Sequence, residues 1–461
     1  MLVNVSDLAP QLQTLFTAAA EKAARTARLI QRRRKLTPAA FAQALVFTWL
    51  DNPLATGDEL VLGLARAGVT LKEQSLLARF TPQAADFFRL LLSDALSRVI
   101  AVTPRAVGLL DRFEAVSLLD STTLSLPAAL AELFPGCGGR HDTPSTKAAL
   151  KALVRYDVGA GVLQGLTLHP GRTADTKAAL DHEETPLPGT LQLADLGFFD
   201  LDVLQRYDRQ RVYFISRVQA GTVIYDEYGR KWRLARYLAR QQTDRLDRPV
   251  WVGLGKKLQC RLLAIRAPEE VRAKRQRQAQ EQAQDHGNAV SEDKLLLCGW
   301  TVFISNVPLW LLSLQEAWVV YRVRWQIELL FKLWKSDGQV DESASVQPYR
   351  VLCEVYAKLL GMVVQHWLLL RCGGGGLGKK SLRKEARAVR RQISHVAAVL
   401  NSAAALMQAL AVMARMVAAA GEVRRRRGRP GTAQTLIEPE HDGLSKPATP
   451  GSQPLPGPTD P

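Results

Sequence analysis

The stretch Tyr321 to Lys335, YRVRWQIELLFKLWK, constrains the fold more than any other part of the chain. At about 100° per residue on an α-helix, Tyr321, Arg324, Glu328, Lys332 and Lys335 fall on one stripe, and Val323, Ile327, Leu330, Phe331 and Trp334 fall on the opposite one. The pattern predicts one helix with a face built for burial and a face carrying one carboxylate among fixed cations. A glutamate held this way either pairs with its neighbours on a solvated face or holds a divalent metal while the cations hold phosphate. The helix alone leaves both readings open.

Two upstream stretches bear on the choice. Val116 to Leu119 is a short apolar run ending in Asp120, followed by Ser121, Thr122 and Thr123; Leu191 to Ala194 is another, ending in Asp195 and followed by Leu196 and Gly197. Each reads as a buried strand that delivers a carboxylate at its end. Two strand-borne aspartates and a helix-borne glutamate make a three-carboxylate set of the type that holds two magnesium ions for phosphoryl transfer. Asp111, Asp157, Asp175, Asp181 and Asp200 compete for that role. Asp175 opens a polar helix, where the helix dipole alone favours a carboxylate, and stays outside the set. His169 and His182 lack metal-ligand spacing and read as structural.

The spacing Tyr321-x2-Arg324-x3-Glu328-x6-Lys335 resembles the Y-R-E-K signature of the insertion-sequence transposases with a DDE triad, the cut-and-paste branch that includes hairpin-forming members. DSTTLSLP from Asp120 resembles that family's first-aspartate motif, and ADLGFFD around Asp195 its second; the likeness covers roughly residues 115 to 340. The resemblance implies Asp120, Asp195 and Glu328 as catalytic metal ligands for two Mg²⁺ ions, with Mn²⁺ as a substitute. It implies phosphate contacts from Tyr321, Arg324 and Lys335, and Lys332 on the same stripe is a further DNA-binding candidate. Trp300 stands where hairpin-forming relatives place a tryptophan that stacks on a flipped-out base, a contact worth about 1–3 kcal/mol; the competing reading is an indole filling the core. Trp232, Trp251 and Trp310 read as packing residues.

The resemblance also implies a fold class: an α/β chain with an RNase H-like mixed sheet flanked by helices, interrupted by a β-rich insertion, with α-helical N- and C-terminal parts. The expected parts are 1–113, a helical DNA-binding domain; 114–218 and 300–371, the catalytic core; 219–299, the insertion; 372–422, a C-terminal helical region; and 423–461, a disordered basic, Pro- and Gly-rich tail. The partners it implies are double-stranded DNA, as transposon ends and as target, and a second copy of the chain on paired ends. The alternative is a catalytically inactive or domesticated DNA-binding protein on the same scaffold.

Composition agrees with a polyanionic partner. The chain has 461 residues, enough for about three domains as a soft prior, and a formal net charge of +17. The apolar stretch Val355 to Leu370 is broken by Lys358, Gln365 and His366, and Val396 to Ala420 by Asn401, Gln408 and Arg415, which argues against membrane spans. Met1 to Phe16 lacks the basic n-region and apolar core of a signal peptide. These features predict a soluble, cytoplasmic protein with no membrane partner; the resemblance implies a bacterial one, nucleoid-associated when bound to DNA, with no small-molecule cofactor. The five cysteines are scattered without a C-x-x-C pair, so neither zinc nor a disulfide framework is expected.

In the N-terminal part, apolar spacing predicts helices over Leu8 to Leu29 and Phe41 to Leu50, with Thr37-Pro38 as cap and first turn. Glu59 to Ala67 and Thr70 to Phe80 around Gly68 fit either a helix-turn-helix or ordinary bundle packing. Arg32 to Lys35 is a candidate phosphate contact. Further on, LLLCGWTVFISN, Leu295 to Asn306, reads as a strand returning to the core, and Lys379 to Arg391 as a basic segment after the glycine joint Gly373 to Gly376.

Overall fold

A computed structural model describes residues 7–29, 35–98, 108–137, 139–140, 143–144, 146–180, 186–285, 287–372, 381–420 and 436. Arg32 to Arg34, Asp181, His182, Gly373 to Gly376, Lys379, Lys380 and the predicted tail from residue 423, apart from Leu436, lie outside the described residues.

In chain order, α1 (Leu8–Thr14) and α2 (Ala20–Thr26) flank a π-helical segment, and α3 (Pro38–Asp51), α4 (Gly57–Arg66), α5 (Glu73–Leu77) and α6 (Pro82–Ser97) follow. Then come β1 (Val116–Leu126), the short pair β2 (Gly139–Arg140) and β3 (Thr143–Pro144), β4 (Ala148–Asp157) and β5 (Val162–Pro170). They lead to α7 (Asp175–Leu180), β6 (Leu191–Ala194), α8 (Leu201–Arg209) and β7 (Tyr213–Arg217). The predicted insertion holds β8 (Val223–Tyr225), β9 (Lys231–Arg233), α9 (Leu234–Ala239), β10 (Arg245–Val252), β11 (Leu258–Arg266), α10 (Glu269–Asp285) and α11 (Glu292–Leu297). The chain closes with β12 (Trp300–Ser305), α12 (Leu314–Arg322), α13 (Trp325–Lys332), a second π-helical segment (Leu333–Asp337), α14 (Pro348–Cys372), α15 (Leu382–Val399) and α16 (Ala403–Ala420).

Ten strands form one mixed sheet in the order β5-β4-β1-β6-β7-β12-β11-β10-β8-β9. β4 and β5 pair antiparallel, whereas β6 runs parallel to both β1 and β7. The first five strands therefore follow the order of an RNase H-like sheet, and the fold class is the expected one. The insertion strands continue the same sheet: β11 pairs antiparallel with β12, and β10, β8 and β9 add outward from it.

Two compact units divide the chain, both discontinuous in sequence. The first draws on Met1–Arg105, Ser121–Thr173 and Trp325–Arg429. Its centre is α14, buried along almost its whole length and packed by α3, α6, α15 and α16. Caps set the helix starts: the Thr37 hydroxyl accepts from the Ala40 N–H at 3.1 Å before α3, and Thr56 with Glu59 closes a capping box on α4. Gly68, at φ +80°, follows α4 in a left-handed conformation that glycine adopts without penalty. α16 is long and apolar enough to cross a membrane by length and composition. Its buried residues Leu406, Ala409, Leu410, Met413, Ala414 and Val417 recur at three and four positions, the stripe of a helix packed on a protein core.

The second unit draws on Ala106–Asp120 and Ala174–Arg324. One face of its sheet is a core of Phe214, Ile224, Val252, Leu258, Leu262, Val302 and Ile304, with Leu204 and Tyr207 of α8 and Leu234 and Leu238 of α9 packed into it. Three expectations change here. Leu295 to Leu297 are helical, because the Ser291 hydroxyl accepts from the Lys294 N–H and starts α11; the strand begins only at Trp300. Asp120 does not end its strand, since β1 runs on to Leu126. Trp310 is no packing residue: it is 81% exposed.

Candidate active site

Two aspartates stand side by side, Asp120 within β1 and Asp195 just past the end of β6. Val116, Ser117, Leu118 and Leu119 of β1 pair in parallel register with Leu191, Gln192, Leu193 and Ala194 of β6, so Asp120 and Asp195 occupy the next position on neighbouring strands. Strands so paired lie about 4.8 Å apart. Both faces of these segments are buried, Ser117 and Gln192 included, as in central parallel strands. After Asp195 the chain turns into a short 3₁₀ segment, Leu196–Phe198, which its side chain does not cap. A Cβ on Gly197 would come within 2.7 Å of an Asp175 carboxylate oxygen, so glycine is what lets this turn pack against α7. Asp175 begins α7, and Asp200 caps α8 by accepting from the Asp202 and Val203 N–H groups, both structural roles.

Cationic and phenolic donors face the pair. Arg324 Nη1 donates to Asp120 Oδ2 at 2.8 Å, with the two side chains 18% and 16% exposed, a charge-assisted bond partly withdrawn from water. The Tyr321 hydroxyl donates to the Ala194 carbonyl at 3.3 Å and approaches Asp195 Oδ1 at 3.5 Å. Burial, helped by the Asp195 charge, pushes this phenol well above its usual range, so it stays protonated and remains a donor. Its ring lies 4.3 Å from that of Phe303 on β12, which holds the phenol in place. Arg217, the last residue of β7, brings Nη1 to 4.0 Å from Asp195 Oδ1. Sequence reasoning missed Arg217; its only signal was a position at the end of the strand after the Asp195 strand, where parallel pairing carries it to the same edge.

The single helix predicted for residues 321 to 335 is interrupted. α12 ends at Arg322, and the Val323 and Arg324 N–H groups bond to the carbonyls of Val320 and Tyr321, three residues back. This tighter turn separates α12 from α13. Tyr321 and Arg324 accordingly belong with the two aspartates in the second unit, whereas Glu328, Lys332 and Lys335 belong to the first. The apolar half of the prediction holds: Val323, Ile327, Leu330, Phe331 and Trp334 are all buried. Glu328 is half-buried on α13, and Lys332 Nζ stands 4.6 Å from the centre of the Trp325 ring. Lys335 falls in the π-helical segment.

Trp300 is 4% exposed and belongs to the sheet core, with the Arg266 guanidinium 4.5 Å over its ring. Arg275 donates to the Trp300 carbonyl at 3.1 Å and to the Thr301 hydroxyl at 3.0 Å, fastening the start of β12. Among the described residues no three His, Cys, Asp or Glu side chains gather where a metal ion could be held. The adjacent aspartates are hard oxygen donors, the chemistry Mg²⁺ selects, and Arg324 and Arg217 balance their charge.

Comparison with known proteins places this arrangement. The family model described as "Transposase DDE domain" matches residues 111–363, more than half of the chain. The chain belongs to this transposase DDE-domain family, whose members cut and join DNA and normally use a divalent metal. The transposase of insertion sequence IS231B from Bacillus thuringiensis subsp. berliner is 27% identical over 372 residues, covering 75% of each chain. That of IS1151 from Clostridium perfringens is 25% identical over 364 residues, covering 74% of this chain and 76% of its own. The piggyBac transposase, solved as a synaptic complex with hairpin DNA, aligns over 98% of this chain and 88% of that one, at 11% identity and a TM-score of 0.46.

Proposed function

We infer that this protein is an insertion-sequence transposase that binds the ends of its element, cleaves them and joins them to target DNA by metal-dependent phosphoryl transfer. The observation that carries the reading is the pairing of Asp120 with Arg324 and of Asp195 with Tyr321, at successive positions of two parallel strands. Asp120, Asp195 and Glu328 are the residues that would hold two Mg²⁺ ions. Ions held there would supply an activated water or 3′-hydroxyl and charge stabilisation for the leaving oxygen. The protein's own groups do the rest. Arg324 can exchange its bond to Asp120 for a bidentate grip on a phosphate, Tyr321 donates a neutral hydrogen bond, and Lys332 and Lys335 add point charges along the strand. Stacking of Trp300 on an extruded base would require Arg266 to leave the ring. The helical N-terminal part is assigned to DNA binding, the C-terminal helices to pairing of two copies on synapsed ends, and the compartment to the bacterial cytoplasm.

The test is cleavage of a labelled duplex carrying the element's own end, with Mg²⁺ and with EDTA. Wild type should cut only with the metal, and Asp120→Asn and Glu328→Gln should bind the duplex with unchanged affinity but lose cutting by about a hundred- to a thousandfold, the scale of a lost transition-state electrostatic contact. Full cutting by Glu328→Gln refutes the glutamate's assignment. Binding without cutting by wild type identifies a DNA-binding derivative of the family instead.

A further inference from the structure

The outer end of the sheet carries a second surface suited to nucleic acid. Register places Lys231 of β9 opposite Tyr225 of β8, Tyr225 opposite Trp251 of β10, and Trp251 opposite Gln259 of β11. Partners in an antiparallel ladder share a face, so these four side chains form a row across four strands. Lys231 and Gln259 are exposed, Tyr225 and Trp251 half-buried. The opposite face at the same strands, Ile224, Val252 and Leu258, is buried core, so the row is the outward side of a one-sided sheet.

Cations gather along this row. Lys256 Nζ stands 5.7 Å from the Tyr225 ring centre, and a Cβ on Gly229 would lie 3.4 Å from the same nitrogen, so the β10–β11 loop and the β8–β9 turn meet there. Arg230 lies 5.7 Å over the ring of Tyr228, which is 76% exposed at the turn. Of the two acids in that turn, Asp226 is spent on the fold: its carboxylate accepts from the Tyr228 and Arg230 N–H groups and from Trp232 Nε1. Glu227 is exposed. The turn keeps a net positive charge, since Arg230, Lys231 and Lys256 outnumber Asp226 and Glu227 there.

The row lies on the same side of the sheet as the carboxylate-facing helix. On β10, Asp247 shares the face of Trp251; Asp247 pairs with Leu263, Leu263 with Phe303, and Phe303 with Arg217. Phe303 packs on Tyr321. From β6 and β1, which lead to Asp195 and Asp120, to β9 there are six and seven inter-strand steps, about 29–34 Å at 4.8 Å each, which is about nine base pairs at 3.4 Å.

We propose that Lys231, Lys256 and Arg230, backed by Tyr225 and Tyr228, form a docking surface for the sugar-phosphate backbone of duplex DNA about nine base pairs from the bond to be cut. The proposal rests on the transposase reading above. Neither bases nor metal are involved, so the contact is sequence-independent.

The experiment measures affinity for the element's end at several salt concentrations, for wild type, Lys231→Glu/Lys256→Glu and Lys231→Gln/Lys256→Gln, on two duplexes. One extends about twenty base pairs from the cleavage point on both sides; the other is cut back to about four. On the long duplex the Gln variant should bind about tenfold more weakly, with the slope of log affinity against log salt shallower by about 1.8, two phosphate contacts at about 0.9 each. The Glu variant should be weaker still, and on the short duplex all three proteins should agree. Cleavage at saturating DNA should be unchanged in both variants. Equal affinities and slopes on the long duplex, or equal losses on the short one, overturn the proposal. Failure of wild type to bind either duplex counts instead against the transposase reading.

Discussion

Lys358 is 1% exposed in the middle of α14, and its ammonium is fully committed: to Glu354 Oε1 at 2.7 Å, to the Gln339 carbonyl at 3.0 Å and to the Glu342 carbonyl at 2.7 Å. Glu354 in turn accepts from the Ser343 hydroxyl at 2.7 Å. The pair ties down the loop after the Glu328 helix, where Gln339 sits at φ +42°. Lys358→Met strands a buried carboxylate and two carbonyls, and should cost about 3–5 kcal/mol; Lys358→Met/Glu354→Leu should recover much of it. Urea midpoints of the two variants measure this, and a single variant as stable as the double would sink the argument. In the sequence Lys358 is legible only as a charge that interrupts an apolar run. Its role was not legible, because its partners are carbonyls of a loop some sixteen to nineteen residues away. Asp120, Asp195, Tyr321 and Arg324 were legible, since an acid after a short apolar run and a spaced Tyr-Arg pair leave a mark in sequence, although β1 runs on past Asp120. Arg217 left none.

At the scale of elements, the π-helical segment Leu333–Asp337 decides how α13 ends. Its Trp334 carbonyl accepts from the Val340 N–H, and Gly338 fits beneath it, where a Cβ would stand 2.6 Å from that carbonyl oxygen and 2.7 Å from Met362 Sδ. Gly338→Ala should therefore destabilise by about 1–3 kcal/mol, read as a lowered thermal midpoint; an unchanged midpoint would mean that the segment yields freely. Arg383 and Arg387 of α15 hold the Asp337 carboxylate, and Arg390 donates to its carbonyl. Part of the basic segment near residue 390 is thus engaged in fastening this turn. Periodicity foretold the buried stripe of α13 but not the interruption at Val323, because the apolar spacing continues across the turn. Strand boundaries around Asp195 were legible from apolar runs and glycine turns. The start of α11 was not, because Leu295 to Leu297 fit a strand as well as a helix until the Ser291 cap is considered.

For the whole molecule, acid sensitivity follows from His366. Its Nε2 bonds to the Gly161 carbonyl at 2.6 Å, and full burial pushes the imidazole down to about 4. Between its ordinary value of about 6.5 and about 4 the unfolded chain takes up a proton that the folded chain refuses. Stability is therefore intact above that window and is lost as pH falls through it, by up to about 3 kcal/mol. His366→Gln keeps a donor for Gly161 and should flatten the dependence of the thermal midpoint on pH between about 7 and about 4.5; a slope equal to wild type's would assign the sensitivity elsewhere.

The interleaving of the two units has a consequence for how the protein is made. Domains of a nascent chain fold as they leave the ribosome, N-terminal parts first. Here the unit that bears the paired aspartates has its described strands and helices by Arg324, whereas the unit that bears Glu328 still lacks α13 to α16. Until α14 emerges, the apolar faces of α3 and α6 that it packs against stay uncovered by it. Synthesis thus passes through a long interval in which one unit has all its described elements while the other is still incomplete, and such a product is a candidate for the chaperone or the protease.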